Sequence, residues 1–183
     1  MTTFEQIKKI MNSGAKEQKV KLLESLSGSD DPKIVLMMIL NLDDADIEVR
    51  GEAFSSLVLN ENDISDMLIK SLKNKSKNVR GYSVLVLANR NDRKSASKIA
   101  QLTEDESAMV RSCAVGALGY LRANEARTAI RKCLNDSNIE VKKSAIKSSI
   151  DIGDRDLLAK LEDLSKVNDP EINSLIVLAR SNL

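Results

Sequence analysis

Five cations stand at one place in a recurring phrase: Lys21, Arg50, Arg80, Arg111 and Lys142 each follow a valine, in Val20-Lys21, Val49-Arg50, Val79-Arg80, Val110-Arg111 and Val141-Lys142. A guanidinium offers two parallel N–H donors that match a carboxylate or a phosphate, so a column of them has two chemical uses. It can tie one repeat to an acidic residue in a neighbouring turn, and Asp44, Asp46, Asp105, Asp136 and Asp169 are available. It can instead track a phosphodiester backbone, each neutralised phosphate adding a salt-dependent increment. Catalytic chemistry is more restricted. The chain has no histidine, which removes Ser-His-Asp and Cys-His nucleophiles, the usual zinc sites and imidazole acid–base work. Carboxylate or lysine catalysis has no supporting motif. Cys113 and Cys133 lack CxxC spacing and read as small buried hydrophobes. The sequence therefore assigns no catalytic, metal or cofactor residue.

Charge is unevenly placed although the net is only +1. Residues 70–98 carry nine Lys and Arg against Asp92 alone, and within them Lys73, Lys75, Lys77, Arg90 and Arg93 form a candidate basic patch. Residues 30–66 carry ten Asp and Glu against Lys33 and Arg50. Such asymmetry steers a charged partner or favours head-to-tail self-contact, unless it only solvates the turns. Nucleic acid is the less supported partner, because only Tyr82 and Tyr120 are candidates for base stacking. Small residues follow the cations at Gly51, Gly81 and Ser112 before Lys143 breaks the run. Glycine inside a helix costs about 1 kcal/mol against alanine, so its recurrence points to close helix packing or to a shallow groove. Gly51, Glu52, Arg80, Gly81, Tyr82, Arg111 and Ser112 make the best single partner-binding patch.

The elements that position these residues follow from period. The anchors Val49, Val79, Val110, Val141 and Ile172 are 30, 31, 31 and 31 residues apart, the spacing of a stacked repeat array. From each anchor, apolar residues recur four, five and eight positions on, as in Val49, Ala53, Phe54 and Leu57 or Val110, Ala114, Val115 and Leu118. That is one face of a helix. Asp46, Ser76, Ser107, Ser137 and Asp169 stand just before the anchors as candidate caps. A preceding helix shows a stripe of spacing four: Ile34, Met38 and Leu42; Ile64, Leu68 and Leu72; Ala126, Ile130 and Leu134. The stripe weakens to Ser95, Ile99 and Thr103 in one repeat. The spacing predicts six helix pairs: 3–12 with 16–27, 32–42 with 46–59, 63–73 with 77–89, 94–103 with 107–121, 125–134 with 138–152, and 155–165 with 169–181. Residues 1–29 form a divergent N-terminal capping pair, with Val20 29 residues before Val49, and 30–181 the regular repeats of a single 1–183 domain.

Composition agrees. Apolar residues make up 42% and charged residues 30%, with no Trp and only two Phe and two Tyr, so the core is aliphatic. No apolar run approaches a membrane span, and the first residues lack the apolar stretch of a secretory signal, so the cytoplasm is the expected compartment.

The phrase Asp46-Ile-Glu-Val49-Arg50-Gly-Glu-Ala53-Phe-Ser-Ser-Leu57 resembles the HEAT-like repeat of the phycobilisome-lyase type. Val110-Arg111-Ser-Cys-Ala114-Val-Gly-Ala117-Leu118-Gly119 is similar to the same consensus. The resemblance covers about residues 30–181. It implies an all-α fold, a right-handed α-solenoid whose second helices line the concave side, and a non-catalytic scaffold or adaptor for protein partners. It leaves a nucleic-acid-binding alternative through residues 70–98 and a bilin-lyase-like enzyme as a further one. Its deoxyhypusine hydroxylase branch implies His-Glu metal motifs, which a chain without histidine cannot contain. The last helix is apolar on more than one side, so Leu175 and Leu178 are candidates for a weak homodimer contact.

Overall fold

The computed structural model describes residues 4–183; Thr3, where the sequence places the first helical residue, lies outside them. Among the described residues there is no strand, and twelve α-helices follow one another in six pairs. The first helices are α1 (Phe4–Ser13), α3 (Pro32–Leu40), α5 (Ser65–Ser71), α7 (Ala96–Gln101), α9 (Arg127–Cys133) and α11 (Leu161–Ser165). The second helices are α2 (Lys16–Leu26), α4 (Ile47–Leu59), α6 (Lys77–Asn89), α8 (Ala108–Tyr120), α10 (Ile139–Asp151) and α12 (Pro170–Asn182). From α3 onward the first helices are shorter than the periodicity predicts, because their ends tighten into 3-10 turns such as Asn41–Asp43 and Leu102–Glu104. The described residues cluster in two compact units, one ending at Arg90 and one beginning at Asn91.

The predicted stripe is the core, except that Ile34 and Phe54 are only half-buried at its edge. Val49, Ala53, Leu57, Val110, Ala114, Val115 and Leu118 are fully buried, as are Met38, Leu68 and Ile130 on the first helices and Leu42 in the 3-10 turn after α3. The two polar members of the weak stripe are buried at no cost in hydrogen bonds. Ser95 Oγ donates to the Asp92 carbonyl at 2.6 Å and Thr103 Oγ1 to the Ala100 carbonyl at 2.8 Å, so each hydroxyl is satisfied within its own turn.

Turn chemistry repeats with the helices. Asp44, Asn74, Asp105 and Asp136 each accept the backbone N–H two residues on, at 2.9, 2.9, 2.8 and 2.8 Å, the local bond that makes Asp and Asn turn formers. Asp46, Ser76 and Asp169 then cap α4, α6 and α12. Two expected caps differ. Asn138, not Ser137, caps α10, because it alone places its oxygen over the Glu140 and Val141 N–H groups. Ser107 makes no side-chain cap bond.

The turns between repeats contain left-handed residues at Asn91, Arg122 and Gly153 (φ 53°, 50° and 66°). At Arg122 and Gly153 paired bonds close the preceding helix: Ala123 N–H to Leu118 and Arg122 N–H to Gly119, then Asp154 N–H to Ser149 and Gly153 N–H to Ile150. This end motif favours glycine at its left-handed residue. Arg122 carries a Cβ there, at a cost of roughly 1 kcal/mol or more. Arg122→Gly is expected to stabilise the second unit by about 0.5–1 kcal/mol once the looser unfolded glycine is counted. A urea midpoint no higher than wild type would remove the strain argument.

Candidate functional site

The cation column is largely spent on the backbone. Arg50 Nη1 donates to the Asp44 and Ala45 carbonyls at 2.7 and 3.0 Å. Arg80 Nη1 donates to Asn74 and Lys75, both at 2.9 Å, and Arg111 Nη1 to Asp105 and Glu106 at 2.9 and 3.3 Å. One guanidinium edge thus clamps the two carbonyls of the turn just before its own helix, an intra-repeat bond that residue spacing alone did not reveal. The expected bridge to a neighbouring acid occurs as well. Arg111 holds Asp136 through both oxygens, at 2.7 and 2.8 Å; in the next repeat Lys143, not the expected Lys142, makes the bridge, reaching Glu171 at 2.8 Å and Asp169 at 3.4 Å. At the N-terminal end Lys19, not Lys21, binds Asp44, at 2.6 Å.

That last bond corrects the register of the first pair. Lys19 and Asp44 are separated as Arg111 and Asp136 are, by 25 residues. Ser56 Oγ donates to the Leu23 carbonyl as Ser148 Oγ does to Val115, each across 33 residues. The anchor position in α2 is therefore Gln18, and Val20-Lys21 is two residues out of step.

The Arg111 guanidinium holds the Asp136 carboxyl below its ordinary range, against the opposing effect of burial. Arg131 does the same to Asp154, which it grips at 2.6 and 2.5 Å. Because these folded-state pKa values are depressed, the pairs contribute fully above the unfolded carboxylate value of about 4 and lose that contribution as pH falls through the folded value. Urea midpoints are expected to fall on acidification from about pH 5, and Asp136→Asn should flatten part of that slope while lowering stability near neutrality. Identical slopes for both proteins would show that the pair is not stabilising.

The predicted partner patch divides. Gly51, Glu52, Arg80, Gly81 and Tyr82 lie in the first unit, Arg111 and Ser112 in the second. Arg80 and Gly81 are buried, Glu52 accepts the Ser56 hydroxyl at 2.9 Å, and Ser112 shares a 2.8 Å hydrogen bond with Ser144. Two of the predicted residues come together. Gly51 and Tyr82, with Ile47, Arg50, Phe54 and Leu85, line an apolar pocket of about 250 Å³ between α4 and α6. A Cβ built on Gly51 meets nothing within 4 Å, so this glycine opens a groove and does not serve close packing. Gly119 is packed closely against another helix: its added Cβ would lie 2.5–2.7 Å from Ser148.

In the predicted basic patch, Lys73, Lys75 and Lys77 are exposed in the first unit and Arg93 in the second. Arg90 is different. Its guanidinium donates to the carbonyls of Leu57 at 3.2 Å, Asn62 at 2.7 Å and Asn60, so it closes the carboxyl end of α4 as a cation there should. At the end of the chain Ile172, Ile176 and Ala179 are buried, Leu175 is half-buried, and Val177 and Leu178 are exposed. Burial pushes the Cys113 and Cys133 thiols up to about 11, which leaves both as thiols near neutral pH. Among the described residues no helix is long and apolar enough to cross a membrane.

Comparison with known proteins finds HEAT repeats over residues 65–136 and 97–179. No curated protein matches the sequence. Among solved structures, the complex of CpcE and CpcF of phycocyanin lyase from Nostoc sp. PCC7120 contains a chain that aligns with 82% of this one and 99% of itself, at 16% identity and a TM-score of 0.72. A designed armadillo repeat protein in complex with peptide (KR)4 aligns over 97% of this chain and 98% of its own, at 21% identity and a TM-score of 0.60. At such identities the likeness shows the fold, an all-α repeat solenoid of the HEAT and armadillo kind.

Proposed function

This chain belongs to the HEAT-repeat family, and we propose that it is a non-catalytic protein-interaction scaffold that docks a partner on its second helices around Gly51 and Tyr82. The family's repeats present surfaces to other proteins, and a packing array by itself supplies no chemistry. One observation carries the proposal: an open apolar pocket where Gly51 leaves the room, Ile47 is 72% exposed at the rim, and Phe54, Tyr82 and Leu85 are half-exposed. Aromatic and aliphatic side chains in a small depression are what an anchoring partner side chain fills. Two structures of the same fold are complexes with another polypeptide, CpcE with CpcF and the designed armadillo protein with (KR)4. The non-catalytic part is supported by the absence of histidine and by the raised thiols. The cytoplasm is the proposed compartment.

Affinity capture from native extract, with nuclease treatment as a control, tests this. Gly51→Leu projects into the pocket from a position where an added Cβ meets nothing within 4 Å, and it removes a helix-interior glycine, so it should fold at least as well as wild type. It and Tyr82→Ala are expected to lose the captured protein. Retention of the partner by both variants, or its loss on nuclease treatment of wild type, contradicts the reading. Duplex DNA is expected to bind more weakly than micromolar at physiological salt, since Arg90 is committed to α4. Tighter binding that disappears when Lys73, Lys75 and Lys77 become Glu would favour the nucleic-acid reading.

A further inference from the structure

A second groove lies on the other set of helices, between α3 and α5, and encloses about 710 Å³. The two helices run side by side in the same direction. Asn60 and Asn62, ahead of α5, donate to the Ser29 and Gly28 carbonyls ahead of α3, at 2.8 and 3.0 Å. Past their far ends, Asn78 donates to Asp43 at 2.9 Å. The groove therefore has a defined long axis, and the nine residues of α3 make it about 13 Å long.

Its middle is apolar and its ends are oppositely charged. Ile39 and Ile64 are buried beneath it, while Leu36 is 49% exposed and Met67 half-exposed along it. Asp30 and Asp63 stand at the end where both helices begin, and Lys70 and Lys73 at the end where α5 finishes. All four are exposed, and among the described residues none of them forms a salt bridge. At physiological ionic strength charges about 13 Å apart lie beyond the Debye length of roughly 8 Å, so each end acts on its own counter-charge and the pair does not cancel. A phosphate backbone suits only one end of such a groove.

We propose that this groove docks a linear segment of another protein carrying a Lys or Arg, two apolar side chains and an Asp or Glu in that spatial order. The cation sits between Asp30 and Asp63, the apolar pair lies on Leu36 and Met67, and the anion meets Lys70 and Lys73. Complementary charge at the two ends fixes the direction of the segment, and the apolar middle holds it. This surface is separate from the α4–α6 pocket, so the two sites stand or fall independently.

Selection of short random peptides displayed on phage against the full chain tests the proposal, with enriched peptides resynthesised for fluorescence polarisation. Enriched sequences are expected to share the cation, apolar pair and anion order. Met67→Glu should abolish binding. Lys70→Glu with Lys73→Glu, two exposed changes that leave the fold intact, should weaken it by about tenfold or more, and a Lys in place of the peptide's acid should restore it. Absence of that pattern among enriched peptides overturns the proposal, as does equal binding by the charge-reversed protein. Peptides lost with Gly51→Leu but retained by Met67→Glu belong to the α4–α6 pocket, which overturns this site and leaves the other standing.

Discussion

Val110→Asp is expected to unfold the second unit at temperatures where wild type remains folded. Val110 is fully buried in α8, which packs on α7, on α10 and on the 3-10 turn Leu102–Glu104. A carboxylate placed there loses its hydration and finds no cation on the apolar stripe. Burying it, charged or protonated, costs several kcal/mol, a large part of the roughly 5–15 kcal/mol that holds a domain together. Val177→Asp is the matched control. Val177 is 66% exposed on α12, and a surface change of this kind shifts stability by no more than about 0.5 kcal/mol. Circular dichroism melts of the two variants should differ by tens of degrees. If Val110→Asp melted within a few degrees of wild type, the repeat register itself would be wrong.

Gly119→Val is expected to be nearly as damaging, for a different reason. The added Cβ would lie 2.5 Å from Ser148 Oγ, 2.6 Å from its Cβ and 2.7 Å from its Cα. The first contact can be relieved by a side-chain rotation. The last cannot, because Cα moves only with the whole of α10. The helices must part, breaking the 2.8 Å bond from Ser148 to the Val115 carbonyl and opening the core around Ala114 and Ala145. Overpacking of this sort costs about 1–3 kcal/mol, and more where backbone must shift. Gly119→Ala should show most of the loss, and Ser148→Ala in the same chain should recover only part of it. Gly51→Ala, in open space, should raise the melting temperature slightly through helix propensity. A Gly119→Ala variant as stable as wild type would mean that α8 and α10 do not approach so closely.

These two residues mark where the sequence was sufficient and where it was not. Val110 was legible because burial on a helix follows a period of 3.6, and the array repeats that period every 30 or 31 residues; six pairs, their core stripe and most caps followed from it. The HEAT family was legible for the same reason, since its repeat is a packing pattern. Gly51, Gly81 and Gly119 look alike in one dimension, and only neighbouring helices decide which is pressed against a backbone and which opens a pocket. Arg90 looked like one more surface cation until the carboxyl end of α4 was found beneath its guanidinium. The sequence points to Lys21 where the structure has Lys19, because the anchor in α2 is Gln18, a polar residue that breaks the apolar signal while the chain keeps its register through Asp44 and Ser56. The sequence by itself determined the periodic element, because local helix patterning is written in successive side chains. The tertiary structure decided that Arg90 is spent on the end of α4, which glycine is a contact and where apolar surface stays open, because those depend on residues brought together from about 28 to 33 positions apart, a distance at which the one-dimensional pattern carries no information on who faces whom.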